Sequence, residues 1–203
     1  MDVKGEIVRK SQDLFMRYGI KSVSMDDIAR EVGISKKTLY QHVEDKRQLV
    51  TEVFESHIKN DESACCTIMD QTANPIQQLL DLAQHIISRF RHLNPSTLYD
   101  IQKYYPRCWK MFTNHKNEFI YQQIIDNLHL GIKTGLYRSE LNVAIVAKLY
   151  ISLIDLVTKP EQFQGDKIEY LDVYKQLFDY HLNAIMSDQG RSYFNQHKEA
   201  LIN

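Results

Sequence analysis

Three helix starts with capping residues lie between residues 24 and 48 of this chain. Ser24 and Ser35 each precede a helix-forming segment, where a hydroxyl can accept one of the unpaired amides of the first turn. Asp45 is followed three residues later by Gln48, a spacing typical of a reciprocal cap. Helices so short are stable only when they pack on one another. The segment therefore predicts a small helical bundle.

The remainder of the 203-residue chain also follows a helical pattern. Only seven glycines and four prolines interrupt it, and apolar residues recur at helical rather than alternating spacing. A first helix is predicted from Val3 to Tyr18, and residues 188–203 are interpreted as a short docked helix or a frayed tail. The longer helices are predicted near Pro75–Leu93, Ser96–Tyr104, Pro106–Lys133, Asn142–Thr158 and Ile168–Ser187. Breakers separate them at Asn74-Pro75, Asn94-Pro95, Gly135, Pro160 and Gly165.

The small bundle has the spacing of a helix-turn-helix. A helix of about eight residues, a turn at Gly33 and a second short helix follow one another. Ala29 is small where the two helices would cross, and Gly33 can adopt the positive φ that a sharp turn requires. Four apolar residues can close a core between the helices: Ile28, Val32, Ile34 and Leu39. The predicted fold class is all-α, with an N-terminal three-helix helix-turn-helix domain followed by a larger helical domain.

The second helix of this motif offers many hydrogen-bond donors to solvent. It is short enough to lie in a DNA major groove about 12 Å wide. Lys46 falls at the start of the next helix, where backbone amides and the helix dipole also favour an anion, so it is predicted to contact phosphate. The DNA-binding residues predicted from the motif are Ser24, Ser35, Lys36, Lys37, Thr38, Tyr40, Gln41, His42 and Lys46.

Charge supports contact with nucleic acid only weakly. The formal net charge is -1 and the pI is about 6.7. Residues 1–50 carry 10 Lys and Arg against 8 Asp and Glu, whereas the rest of the chain is acidic. The motif, and not the composition, therefore carries the prediction.

The run Ser24-Met-Asp-Asp-Ile-Ala, then Gly33-Ile-Ser-Lys-Lys-Thr-Leu-Tyr-Gln-His, then Lys46 and Leu49, resembles the N-terminal DNA-binding region of TetR-family regulators. The resemblance covers roughly residues 5–52. It implies that Tyr40 and Lys46 grip backbone phosphates and that the segment 36–42 reads bases. One departure is Val43, where the family usually has an aromatic residue.

The same resemblance implies how the chain is organised. A DNA-binding domain is expected over residues 1–48 and a helical regulatory and dimerisation domain over residues 49–203. The expected function is that of a sequence-specific transcriptional regulator, a repressor released by a small-molecule ligand. The expected partners are double-stranded DNA with a pseudo-palindromic operator, an effector of unknown identity and a second copy of the chain.

Aromatic residues with polar tips in the second half can line a pocket for a moderately apolar ligand, although packing between helices explains each one alone as well. The predicted pocket residues are His85, Tyr99, Tyr104, Tyr105, Trp109, Phe112 and Tyr121, with His129 in a wider set. The helix near 142–158 is apolar almost all round, which exceeds what one intrachain face requires. The dimer interface is therefore predicted at Leu149, Leu153, Val157, Tyr174, Phe178 and Leu182.

Other classes of protein find little support in the sequence. It contains no Gly-rich phosphate loop, no nucleophile elbow and no His or Cys spacing typical of a metal site, so neither catalytic residues nor a cofactor or metal are predicted. No signal peptide pattern opens the chain, and no apolar run approaches about 18 residues, so a cytoplasmic location is expected. The alternative function is a helical sensor whose DNA domain has lost its operator.

Overall fold

The computed structural model describes residues 2–91, 94, 96–158 and 169–197, and in these ranges the regular secondary structure is helical, with one isolated bridge between Tyr137 and Met186. The helices in chain order are α1 (Val3–Tyr18), α2 (Met25–Val32), α3 (Lys36–His42), α4 (Lys46–Asp70), α5 (Pro75–Phe90), α6 (Ser96–Tyr104), α7 (Pro106–His115), α8 (Tyr121–Lys133), α9 (Val143–Thr158), α10 (Tyr170–Ile185) and α11 (Asp188–His197). A π-helical turn, Lys116–Ile120, joins α7 to α8. The all-α prediction is confirmed, and none of the helices described here is long and apolar enough to cross a membrane.

The caps predicted for α2 and α3 are present. The hydroxyl of Ser24 accepts the amide of Asp27 at 3.1 Å, and the Asp27 carboxylate accepts the amide of Ser24 at 2.9 Å. The hydroxyl of Ser35 accepts the amide of Thr38 at 3.0 Å. Between the two helices Gly33 adopts φ 82° and ψ 30°, a left-handed conformation that glycine enters without steric cost. The capping residues of α2 and α3 and the turn at Gly33 therefore adopt the predicted local structure.

Helix α4 also begins as predicted. The Asp45 carboxylate accepts the amide of Gln48 at 2.7 Å, and the Gln48 side chain accepts the amide of Glu44 at 2.5 Å. The helix then continues for 25 residues to Asp70. The next helix is capped by Asn74, whose side-chain oxygen accepts two amides of the first turn of α5.

The longer helices match the predicted segments with small differences at their ends. The predicted helix Pro106–Lys133 contains the π-helical turn, and α9 begins one residue late because Asn142 caps it, accepting the amide of Ile145 at 3.1 Å. Helix α10 ends at Ile185. Several predicted features lie outside the described residues: Leu93, Pro95, Pro160, Gly165, Ile168 and the tail 198–203.

Contacts group the chain into two compact units, Met1–Glu62 with His92–Asn114 and Ser63–Arg91 with His115–Asn203. This grouping is by packing, and the division of function at residue 48 stays a prediction. The core of the first unit contains Ile7, Phe15, Ile20, Val23, Met25, Ile28, Ala29, Leu39, Val43, Leu49, Val50, Val53, Ile101 and Cys108. The core of the second unit is built mainly by α5, α8, α9 and α10.

A buried polar network fixes one end of the second unit. The hydroxyl of Tyr137 donates to the side chain of Asn127 at 2.9 Å, and Asn127 donates to Gln78 at 3.0 Å and to the carbonyl of Pro75 at 2.9 Å. Gly131 is required here because a Cβ at that position would lie 1.8 Å from the Tyr137 ring. Each polar group in this chain of contacts is paired, so the network orders α5 against α8 at little cost.

Helix α11 resolves the alternative left open for residues 188–197. Phe194 is buried in the core of the second unit. Gly190 packs so closely that a Cβ there would lie 2.0 Å from the carbonyl oxygen of Leu136. This part of the C-terminal segment is therefore a docked helix.

Candidate nucleic-acid interface

Helix α3 is locked in place by the face opposite its donors. Leu39 is completely buried and packs in the same core as Ile28 and Ala29 of α2. Val43 follows the helix and is also buried, so it fills the inner position where the resemblance led us to expect an aromatic ring. The inner face of the motif thus fixes the direction in which the outer face points.

The outer face of α3 carries the predicted donors. Lys36, Lys37, Tyr40 and Gln41 are exposed, and Tyr40 keeps 44% of its surface open to solvent. Thr38 and His42 are half-buried. Amines, a phenol and an amide therefore project together from one short helix, a set of groups that suits the phosphates and base edges of a major groove.

Two lysines of α1 brace this motif through the ends of its helices. The ammonium of Lys4 donates to the carbonyl of His42 at 2.6 Å and pairs with Glu52 at 2.5 Å. The ammonium of Lys10 donates to the carbonyl of Glu31 at 2.9 Å, near the end of α2. Cations at helix C-termini are favoured by the dipole and satisfy carbonyls that lack a helical partner. These lysines hold the motif and are separate from the donors on α3.

One of the predicted DNA-binding lysines already has a partner in the chain. The ammonium of Lys36 lies 2.8 Å from the carboxylate of Asp26, and this pairing raises the pKa of Lys36 above its ordinary value. Both side chains are more than half exposed, so the pair is weak and water competes for it. The sequence pattern carried no signal for this contact between α2 and α3, so it was missed.

Lys46 has a more shielded environment than the lysines of α3. It is half-buried at the first position of α4, and burial lowers its pKa while the carboxylates of Asp100 and Asp27 oppose that shift. The hydroxyls of Ser24 and Ser35 serve as helix caps and remain on exposed residues. The surroundings of Lys46 are thus those of a positioned cation near a helix start.

A segment far along the chain braces the end of α1. The amide of Asn94 donates to the carbonyl of Met16 at 2.7 Å, and the hydroxyl of Thr97 donates to that of Phe15 at 3.1 Å. The carboxylate of Asp100 accepts the amide of Lys21 at 3.0 Å. We call Asn94, Thr97 and Asp100 the 94–100 brace. This brace was not predicted, since local sequence patterns carry no signal for partners some 80 residues away.

The predicted pocket residues are divided between the two units. Tyr105 and Trp109 pack against the core of the first unit, and the ring of Phe112 lies 5.4 Å from that of Trp109. Lys103 lies over the rings of Tyr99 and Tyr104, which meet edge to face at 6.5 Å. His85 and Tyr121 are half-buried in the second unit. Core and surface packing therefore account for the five predicted residues in the first unit. The whole set stays a prediction as an effector site.

Burial revises the predicted dimer interface. Tyr174, Phe178, Leu182 and Val157 are at most 6% exposed within a single protomer, and Leu153 is half-buried, so these side chains already pack inside the chain. Of the predicted residues only Leu149 faces solvent. The exposed large apolar residues of α9 and α10 are Ile145, Leu149, Leu156 and Tyr180.

A fixed helix-turn-helix with a donor-rich outer face, in an otherwise helical chain, defines a DNA-binding transcriptional regulator. Comparison with known proteins agrees. A profile described as "Bacterial regulatory proteins, tetR family" matches residues 7–53. IcaR of Staphylococcus aureus, the negative regulator of the biofilm operon icaADBC, is 26% identical over 206 aligned residues, which cover 99% of this chain and 97% of IcaR.

KstR2 of Mycobacterium tuberculosis, a transcriptional repressor, is 24% identical over 146 residues, 70% of this chain and 73% of KstR2. Its solved structure matches with a TM-score of 0.60 at 23% identity, covering 91% of this chain and 95% of that one. A structure from Saccharomonospora viridis in complex with choline matches with a TM-score of 0.69 at 18% identity, covering 91% and 97%. These structural likenesses concern the fold. The profile and the two repressors together support a TetR-family transcriptional regulator.

Proposed function

We propose that this chain is a homodimeric repressor that binds a pseudo-palindromic operator through α3 and leaves it when a small molecule binds. The observation that carries the proposal is the outer face of α3, where Lys37, Tyr40 and Gln41 are exposed while Leu39 beneath them is fully buried. Repression is supported by the names of IcaR and KstR2 as repressors or negative regulators. In this account the protein catalyses no reaction.

The proposed contacts fall into two groups. Tyr40, Lys46 and the hydroxyls of Ser24, Ser35 and Thr38 would contact phosphates, because such groups position a protein on a duplex without reading its sequence. Lys36, Lys37, Gln41 and His42 would reach base edges. Lys36 would exchange the carboxylate of Asp26 for DNA, an exchange that costs little because the pair is exposed.

A second copy would meet the outer faces of α9 and α10. Ile145, Leu149 and Tyr180 are each more than half exposed, and three large apolar side chains on two adjacent helices favour a protein partner over water. Pairing about a two-fold axis would form a four-helix bundle. It would set two α3 helices roughly 34–36 Å apart, or a longer in-phase distance, on successive major grooves.

Release by a small molecule is proposed by analogy with relatives. The similar structure from Saccharomonospora viridis is in complex with choline, which supports a small-molecule effector for this chain. A ligand lowers DNA affinity only to the extent that it binds the conformation that does not fit the operator more tightly than the one that does. A coupling free energy of about 1–3 kcal/mol changes operator affinity roughly 5- to 150-fold.

The test is selection of bound duplexes from a random DNA pool with the full chain. We expect enrichment of an inverted repeat, with affinity that falls steeply as salt rises, because phosphate contacts release counterions. The Tyr40→Phe variant should bind selected and random duplexes more weakly by similar factors. A pool without any enriched sequence would contradict the proposal and favour a sensor that has lost its operator.

A further inference from the structure

The buried face of α10 carries polar groups among apolar ones. Tyr174 and His181 lie seven positions apart, about two turns, so they share one face of the helix. They are 6% and 5% exposed, and Leu177, Phe178 and Leu182 surround them on that face. From α9, the ring of Tyr150 lies 4.4 Å from the ring of His181, measured between centroids. Three polar side chains thus project into the packing between α9 and α10.

One polar atom of this group has no partner. Nε2 of His181 is buried and, within the described residues, accepts or donates no hydrogen bond. Almost all buried polar groups in folded proteins are paired, since an unpaired one loses its hydration and gains nothing in return. An atom left so in a core formed by two long helices is free to bind a partner that the described residues do not supply.

The charge states around this atom restrict what that partner can be. Burial lowers the pKa of His181 to about 4, raises the pKa of Tyr150 to about 12 and raises the pKa of Tyr174 well above its ordinary value. All three groups are therefore neutral at pH 7. An ionic group placed against them would lose its hydration without gaining an opposite charge, whereas a hydroxyl loses far less. A neutral imidazole has one nitrogen that can accept a hydroxyl proton.

We propose that the packing between α9 and α10 around His181 is the effector site, and that it takes an uncharged, largely apolar molecule whose single hydroxyl donates to Nε2 of His181. This inference rests on the proposed function, because it names the class of molecule that releases the operator. The same two helices carry Leu149 and Tyr180 on their outer faces, so a molecule seated between them changes the surface that meets the second copy.

The test uses the full chain and three probes of similar shape: p-cresol, its methyl ether and p-toluate. We expect calorimetry to show p-cresol binding about 10-fold or more tightly than the other two, the amount that one hydrogen bond contributes. The His181→Phe variant keeps a ring but has no acceptor, and should bind p-cresol and its methyl ether equally. The matched control is Tyr137→Phe, which alters another buried polar residue of the same unit and should keep the preference.

A second measurement on the unmodified protein keeps the test decisive if His181→Phe fails to fold. The ¹⁵N shift of the His181 ring should move when p-cresol is added and stay unchanged with the methyl ether. Equal binding of p-cresol and its ether would overturn the proposal. An unchanged ¹⁵N shift of the His181 ring would also overturn it, because the partner of Nε2 would then be a bound water only. DNA selection on the same protein separates the proposed function from the proposed site at His181. A selection that enriches no operator overturns the proposed function, whereas the preference for a hydroxyl at His181 is measured without DNA.

Discussion

The main-chain amide of Lys21 donates to the carboxylate of Asp100 at 3.0 Å, although the two residues are 79 positions apart. Asp100 is only 4% exposed, and two further members of the 94–100 brace bond to the last turn of α1. This carboxylate pairs an amide that follows the end of α1, and it also opposes the lowering of the Lys46 pKa by burial. The brace thus ties the motif to a segment that no local pattern connects to it.

Removing this carboxylate should cost stability. Asp100→Ala leaves the Lys21 amide without its partner, and we expect a loss of about 1–3 kcal/mol in the free energy of unfolding, measured by urea titration. Asp100→Asn keeps an oxygen that can accept the amide and should lose clearly less. Equal losses for the two variants would show that the negative charge, and not the hydrogen bond to Lys21, is what matters.

Gly19 and Gly33, which follow the ends of α1 and α2, should respond differently to substitution. Gly33→Ala should cost about 1 kcal/mol, since alanine is strained at positive φ, whereas Gly33→Asn should cost less because asparagine tolerates that region. Gly19 combines φ 79° with a close neighbour, for a Cβ would lie 2.4 Å from the hydroxyl of Ser96. Gly19→Ala should therefore destabilise more than Gly33→Ala in the same thermal or urea titration.

The pH dependence of stability should report the burial of His181. Its pKa is about 4 in the folded chain against an ordinary 6.5, so between these values the unfolded chain binds the extra proton. Stability is therefore complete above about pH 6.5 and is lost as the pH falls toward 4, by up to about 3 kcal/mol. His181→Phe should flatten this part of the curve. An equal slope in the variant would assign the acid sensitivity to other groups.

Two leucines of α9 and α10 should separate dimerisation from folding. Leu149 is 59% exposed, so Leu149→Arg should leave the protomer folded while shifting sedimentation from dimer toward monomer. Leu182 is completely buried, so Leu182→Ala should lower the free energy of unfolding by about 2–5 kcal/mol through the cavity it leaves. A stable dimer in the Leu149→Arg variant would place the interface elsewhere.

The parts of the fold that depend on neighbours in sequence could be predicted. Ser24 and Ser35 cap because a hydroxyl meets the amide three residues later, and Gly33 turns because its own φ is unrestricted. The outward set on α3 follows from helical periodicity once Leu39 is assigned to the core.

The parts that depend on distant partners could not be predicted. Tyr174, Phe178 and Leu182 were predicted at the dimer interface, but periodicity does not say whether the same chain or a second copy covers such residues. The structure places Tyr174 and Phe178 inside the protomer and leaves Ile145 and Leu149 of α9 outside. The 94–100 brace was hidden for the same reason, since Asp100 and Lys21 meet only in the folded chain.

The proposed function requires that α3 and Lys46 bind DNA. The most direct measurement is operator affinity as a function of salt for the unmodified chain, Lys46→Ala and Lys37→Ala, with Lys133→Ala removing an exposed charge of the second unit as the control. Lys46→Ala should weaken binding to all duplexes alike and reduce the slope of log affinity against log salt by about 1, while Lys37→Ala should change base preference. If Lys46→Ala and Lys37→Ala bind like Lys133→Ala, with the same affinity, slope and preference, the assignment of this face to DNA is wrong.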